Sequence, residues 1–172
     1  EAPFGPFRQI GPVPFSPAEL AAAREKLLAA RQGRVRPGRD EKVLVSWNSL
    51  AIDALARAGA ALGESRYTAA AGAAADFLQS HLRRSDGRLL HCWRAGRAKH
   101  DAYLDDYAGL GNALLTLYES VGEPARLDEA MRLAEEILSR FADSQQGGFF
   151  YTAADHEPLI VRRRDVLDNP LP

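Results

Sequence analysis

One unit of this 172-residue chain occurs twice, and that duplication restricts its fold more than any other feature. Gly63-Glu64 recurs as Gly122-Glu123. After a one-residue insertion, Ala70, Ala74 and Leu78 recur as Ala130, Ala134 and Leu138, and Asp86-Gly87 falls opposite Gln146-Gly147. Around these anchors apolar residues return every three or four positions, as in Leu110, Leu114, Leu117 and Tyr118, or Leu127, Met131, Ala134 and Leu138. That spacing predicts helices over about 46–62, 65–82, 105–121 and 124–141. Gly63 and Gly122 stand where left-handed C-terminal caps belong, and a new helix starts within three residues of each, so both pairs are tight hairpins (46–82 and 105–141). A short β-prone run closes each unit, Arg88–Trp93 in one and Gly148–Thr152 in the other. A hairpin with one apolar face cannot bury it alone and stacks on its copies. The expected fold is therefore all-α, a helical solenoid or closed toroid of hairpins with short β-hairpins in the loops.

The first 16 residues carry Pro3, Pro6, Pro12 and Pro14 with Gly5 and Gly11, which predicts an extended segment that Phe4, Phe7, Ile10 and Phe15 could pack onto a surface. Ser16-Pro17-Ala18-Glu19 then has the pattern of a capped helix start, with Ser16 as cap, Pro17 in the first turn and Glu19 completing a capping box. This helix is expected to reach about Gln32 and stop at Gly33, with Leu20, Leu27 and Leu28 on one face; a polar loop with Pro37 and Gly38 follows. The expected division is an extended segment, 1–16, and a partial toroid, 17–172. The alanine run 69–75 has two readings, close approach of helix backbones or simple helix propensity.

Charge excludes several classes. Lys and Arg number 22 against 23 Asp and Glu, so no excess of cations exists to neutralise a nucleic-acid backbone. No uncharged apolar run approaches the roughly 18 residues of a membrane span. Cys92 has no partner, which excludes a disulfide framework, and His91, Cys92, His100 and Asp101 match no zinc spacing. No metal, cofactor, nucleic acid or membrane is expected. The opening EAPFGPF has no signal-peptide character, and a cytoplasmic location is expected, although a chain that begins at Glu1 says little about the start of its gene product.

The starts of the two units are specific in sequence. One reads Asp40-Glu41-Lys42-Val43-Leu44-Val45-Ser46-Trp47-Asn48-Ser49-Leu50; the other reads Leu104-Asp105-Asp106-Tyr107-Ala108, continuing to Leu114-Leu115-Thr116-Leu117-Tyr118-Glu119. With Gly147–Thr152 and Leu159-Ile160-Val161-Arg162, their order and spacing over about 34–169 resemble one family. It is the family of spermatogenesis-associated, thioredoxin-like-domain proteins and their bacterial relatives, whose C-terminal region is a six-hairpin α/α toroid related to six-hairpin glycosidases and N-acylglucosamine 2-epimerases. Val45 and Ser49 replace the family's usual Thr and Gly. The chain stops at Asp168–Pro172, before the family's next inner-helix motif, and has no Cys-x-x-Cys. The resemblance therefore implies a fragment, about two hairpins of a partial toroid, without the thioredoxin-like domain.

In such toroids the inner helices share one polarity and their starts gather at one mouth. That would bring Ser46-Trp47-Asn48 and Asp105-Asp106-Tyr107 to one rim. Trp and Tyr stack on sugar rings and carboxylates bind hydroxyls or move protons. Asp106 and Asp105 are the candidate catalytic residues, and Trp47, Asn48, Tyr107, Trp93 and Arg94 the candidate ligand-binding ones. Five of them have a structural reading beside the functional one. Asp105 suits an N-cap, Asp106 a first turn favoured by the helix dipole, Trp47 the core, Trp93 packing on a neighbouring hairpin, and Tyr107 packing with its hydroxyl at the rim. Glycoside hydrolysis needs carboxylates about 5 Å or 6.5–9.5 Å apart on either side of the bond. Adjacent helical residues diverge by about 100°, so Asp105 and Asp106 do not form that pair by themselves. Epimerases on similar toroids use histidines as acid and base, but no motif transfers such a role to His91 or His100. Arg162-Arg163-Arg164 suits a solvated strand or loop edge.

The functional expectation is a carbohydrate-related toroid domain, sugar-binding or sugar-modifying in a glycosidase- or epimerase-like way and inactive as an isolated fragment. The alternative is a non-catalytic module that binds a ligand or client for the thioredoxin-like domain of the same polypeptide. Whether there is turnover stays open at this level. Open hairpin edges would expose apolar surface, so self-association or marginal stability is expected of the isolated chain.

Overall fold

The computed structural model describes residues 16–164; the extended segment expected before Ser16 and the C-terminal Asp168–Pro172 lie outside the described residues. The chain divides into two compact units, one ending at Asp40 and one beginning at Glu41. The first holds helix α1 (Pro17–Gln32). Its start has the expected capping box: the Glu19 backbone N–H donates to the Ser16 hydroxyl, and the Ser16 N–H donates to the Glu19 carboxylate.

The second unit is built of four helices and one small sheet: β1 (Val43–Leu44), α2 (Val45–Leu62), α3 (Ser65–His81), β2 (Leu90–Arg94), β3 (Arg97–Asp101), α4 (Leu104–Val121) and α5 (Pro124–Arg140). The hairpins are α2–α3 and α4–α5. Both turns are made by glycine in the left-handed region, Gly63 at φ 68° and Gly122 at φ 73°, each donating its N–H back into the helix it ends. A side chain is strained there, which is why glycine recurs at this point of the repeat.

The two inner helices, α2 and α4, run parallel. Going up the pair, Ser46 meets Asp106, Ser49 meets Gly109, Asp53 meets Thr116 and Ala56 meets Ser120. Helices α3 and α5 pack outside them. One core joins all four, from Val45, Ile52 and Ala56 on α2, through Ala71, Ala75 and Leu78 on α3, to Tyr107, Leu110, Leu114 and Leu117 on α4 and Leu133 on α5, with Phe141 beyond. Close backbone approach is real in this core. A Cβ on Gly59 would lie 2.6 Å from Thr68 Cγ2 and 3.0 Å from the Thr68 nitrogen, so α3 packs directly on the α2 backbone where Gly59 has no side chain. Ala71 and Ala75 of the alanine run are fully buried in the same hairpin, whereas Ala69, Ala70 and Ala73 are exposed.

The antiparallel sheet has the order β1-β2-β3, with Leu44 opposite Cys92 and Cys92 opposite Lys99. Since β1 runs directly into α2 and β3 leads through Ala102-Tyr103 into α4, the sheet sits at the end where both inner helices start. The second β-prone run, Gly148–Thr152, does not form a strand; it makes a single bridge, Ala142 to Phe149, the counterpart of Arg83 to Leu89 in the first unit. β2 pairs with a strand on each side, whereas around Tyr151 the backbone makes separate bonds to Arg163, Leu104 and, from Phe150, to Phe141, without a continuous ladder. The segment Leu159–Arg162 is likewise irregular.

Candidate functional site

Asp106 ties the two inner-helix starts together. It is the third residue of α4, fully buried, and its carboxylate accepts three hydrogen bonds from three elements. Oδ1 accepts the Ser46 N–H of α2 at 3.0 Å, and Oδ2 accepts the Tyr103 N–H at 3.0 Å and contacts His91 Nδ1 of β2 at 2.8 Å. The first-turn amides of a helix have no partner within the helix. Asp106 therefore caps its own helix from inside and supplies an acceptor to α2, whose cap residue Leu44 has no side chain that could do so.

This corrects the expected role of Asp105. The cap residue of α4 is Tyr103, in extended conformation, and Asp105 is the second helical residue. The capping is done by the carboxylate three positions into the helix, so Asp105 is left free of that duty. It is half-buried, and its Oδ1 is buried without a partner. Burial first, and the neighbouring Asp106 second, push the Asp105 carboxyl above the ordinary carboxylate range; burial and Asp105 likewise push the Tyr151 phenol up.

His91 had no role assigned from sequence. The Asp106 hydrogen bond raises its pKa against the opposing effect of burial. With Nδ1 on Asp106, the Nε2 edge of the ring is the one that remains for other partners. The ring meets Tyr103 edge-on at 5.1 Å between centroids; Tyr103 stacks on Tyr151 at 5.0 Å and on His156 at 6.0 Å. His100, Asp101, Tyr103, His156 and Glu157 line a small depression here. Two histidines, two tyrosines and a carboxyl of raised pKa thus gather at the inner-helix starts. Tyr151 belonged to the repeat motif; the only local signal for Tyr103 was its position three residues before Asp106, and no sequence signal pairs His91 with Asp106.

The other candidates are spread more widely. Tyr107 is 1% exposed and its hydroxyl, expected at the rim, is inside: it accepts the Leu89 N–H at 3.2 Å, and burial pushes its pKa to about 12. Asn48 turns back on its own helix, donating from Nδ2 to the Leu44 carbonyl at 2.8 Å. Trp47 is 51% exposed on the first turn of α2. Trp93 packs edge-on against Phe77 of α3, and Arg94 is exposed at the tip of β2. Arg162 is not simply solvated: it donates to the Thr152 carbonyl and lies 4.1 Å over the Phe150 ring, while Arg164 pairs with Asp143.

Two stacked helical hairpins with parallel inner helices, their starts joined beside a small sheet, define this unit as part of an α/α toroid. The fold is shared with cellobiose 2-epimerase from Spirochaeta thermophila (TM-score 0.59, 19% identity, 80% of this chain and 39% of that one) and from Bacillus thermoamylovorans (TM-score 0.58, 12% identity, 65% and 33%). No family model matches the sequence. In sequence the chain is 37% identical over 163 residues to human spermatogenesis-associated protein 20 and 34% identical over 165 residues to the mouse protein. An uncharacterised protein of Caenorhabditis elegans is 32% identical over 161 residues. The chain is a homologue of one stretch of the spermatogenesis-associated protein 20 sequences. It spans 21% of the length of these relatives.

Proposed function

We propose that this unit contributes a sugar-binding, sugar-modifying surface at the starts of its inner helices, with His91 as the proton-carrying group and Asp106 as the residue that orients it. The observation that carries this reading is the His91–Asp106 contact of 2.8 Å, made by a ring that is still 24% exposed. A buried carboxylate that holds one imidazole nitrogen leaves the other to accept or deliver a proton near neutral pH. Tyr103, Tyr151 and the exposed Trp47 supply the flat apolar faces on which sugar rings stack. The likeness in fold to cellobiose 2-epimerases supports an aldose or short oligosaccharide as the ligand and proton transfer beside its carbonyl as the reaction.

A second reading is favoured by a different observation. Asp106 and Tyr107 spend their polar atoms on backbone amides inside the fold. A mouth whose carboxylate is structural suits a non-catalytic module that presents a ligand or client to a thioredoxin-like domain of a longer polypeptide. The test is a panel of aldoses and disaccharides followed by calorimetry and by exchange of the sugar C2 hydrogen in deuterated water, on this chain and on a full-length relative. Saturable binding with exchange that His91→Asn abolishes supports the enzyme. Saturable binding without exchange, weakened in the same variant, supports the module. No saturable sugar binding by either protein overturns the first reading and any sugar-presenting form of the second.

A further inference from the structure

We propose that the outer face of the β1-β2-β3 sheet is an anion site for a phosphate-bearing small molecule. The register decides which side chains share that face. Arg94 stands opposite Arg97 and Cys92 opposite Lys99. Leu44 pairs with Cys92, and Lys42, two residues before it, falls on the same side by strand alternation. These residues, with Ala95 and His100, line an open recess of about 520 Å³, within the range of roughly 300–1,000 Å³ usual for small-molecule sites. Its lining holds four permanent cations and no carboxylate.

Three of these cations, Arg94, Arg97 and Lys99, are also unusual in lacking partners. Elsewhere in the hairpin unit arginines are engaged: Arg57 with Asp53, Arg83 with Glu129 and Glu136, Arg84 with Asp86, Arg126 with Glu123, Arg132 with Glu136, Arg140 with Asp155. Among the described residues, Arg94, Arg97 and Lys99 make no ion pair and no side-chain hydrogen bond. The carboxylate next along the same strand face, Asp101, is already held by Arg84 and Arg88. Like charges directly opposite on paired strands destabilise a sheet, and the Arg94–Arg97 pair is such an arrangement. It is also enforced by the backbone: Ala95 and Gly96, at φ 49° and 79°, make the two-residue turn that sets these arginines side by side. Ala95 adopts a conformation that costs a residue with a Cβ.

Two guanidinium forks and two ammonium groups around one recess match an acceptor with several charged oxygens on adjacent atoms. A single carboxylate would leave most of the positive charge uncompensated. A nucleic-acid strand needs a track of free cations along a surface, and the flanking Arg84 and Arg88 are taken by Asp86, Asp101 and Asp155. A phosphomonoester or pyrophosphate group fits best. The recess and the depression at the inner-helix starts share only His100 in their linings, so an anion here does not depend on a sugar there.

The test is calorimetric titration of inorganic phosphate and pyrophosphate into the chain at low ionic strength. Expected is saturable one-site binding, tighter for pyrophosphate and weakening with added salt. Arg94→Gln combined with Arg97→Gln should lose at least about tenfold in affinity, while Arg66→Gln, on α3, changes nothing. Removing the facing charges should leave the urea midpoint of the free chain unchanged or higher. Should that double variant fail to fold, Lys99→Gln gives an independent reading on the other strand. The proposal is overturned by absence of saturable pyrophosphate binding, by unchanged affinity in both variants, or by a DNA duplex or anionic vesicles binding more tightly than pyrophosphate and losing that binding in the same variants.

Discussion

Replacing Asp106 by alanine tests the central joint of the structure. The side chain is fully buried and serves the Ser46 and Tyr103 amides and His91 Nδ1. Leaving a buried donor without an acceptor costs about 1–3 kcal/mol, and loss of a helix cap about 0.5–2 kcal/mol. Two stranded amides at two helix starts therefore put the loss at about 3–5 kcal/mol, after allowing that water reaches part of the vacated space. Against a total stability of about 5–15 kcal/mol for a domain, that is a large fraction. Asp106→Asn should cost less, because its one amide oxygen still serves Ser46 while its NH2 group opposes the Tyr103 N–H. The assay is urea unfolding followed by circular dichroism, with the His91 ring titrated by NMR in both variants. His91 should return from its raised pKa toward its ordinary 6.5. A stability loss below about 1 kcal/mol for Asp106→Ala, or an unchanged His91 titration, would refute the assignment of Asp106 as the joint and orienting residue.

Other outcomes follow from single contacts. The folded-state pKa of His91 is raised, so the stability that its Asp106 contact confers is full below 6.5 and is lost as pH rises through the higher folded value; unfolding midpoints of the parent should fall across that window and those of His91→Asn should not. Gly59→Ala places a Cβ 2.6 Å from Thr68 Cγ2 and should destabilise by about 1–3 kcal/mol despite better helix propensity, and an unfolding midpoint at or above the parent's would contradict the close α2–α3 contact. Tyr107→Phe strands the buried Leu89 N–H and should cost about 1–3 kcal/mol with no change in secondary structure by circular dichroism. Trp47 and Leu50 on α2 are about half exposed on a surface that, by the repeat, matches the α2-facing side of α4. The isolated chain is expected to self-associate through that surface in sedimentation velocity, and Trp47→Ser to weaken the association; a monomer at all concentrations would count against it.

Most of the fold was legible in the sequence. Helices and their glycine stops are local: a Ser-Pro-x-Glu start, a three-to-four spacing of leucines and a left-handed glycine each act within a few residues, and the recurrence of Gly63 as Gly122 showed that hairpins stack. The near-zero net charge was also plain in the sequence, and no described helix is long and apolar enough to cross a membrane. The candidate site was legible only as a neighbourhood. The starts of α2 and α4 do meet, but Asp106 and Tyr107 turned inward while His91, Tyr103 and Tyr151 made the surface. Which side chain serves which amide depends on the approach of elements far apart in the chain, Ser46 and Asp106 among them, and no local pattern encodes it. The same holds for the unpaired arginines of the sheet: net charge averaged them away, and only strand register set Arg94 opposite Arg97. Periodicity determined the helices because helix formation is local; burial and charge pairing belong to the packed chain, because each is a relation between residues that the sequence keeps apart.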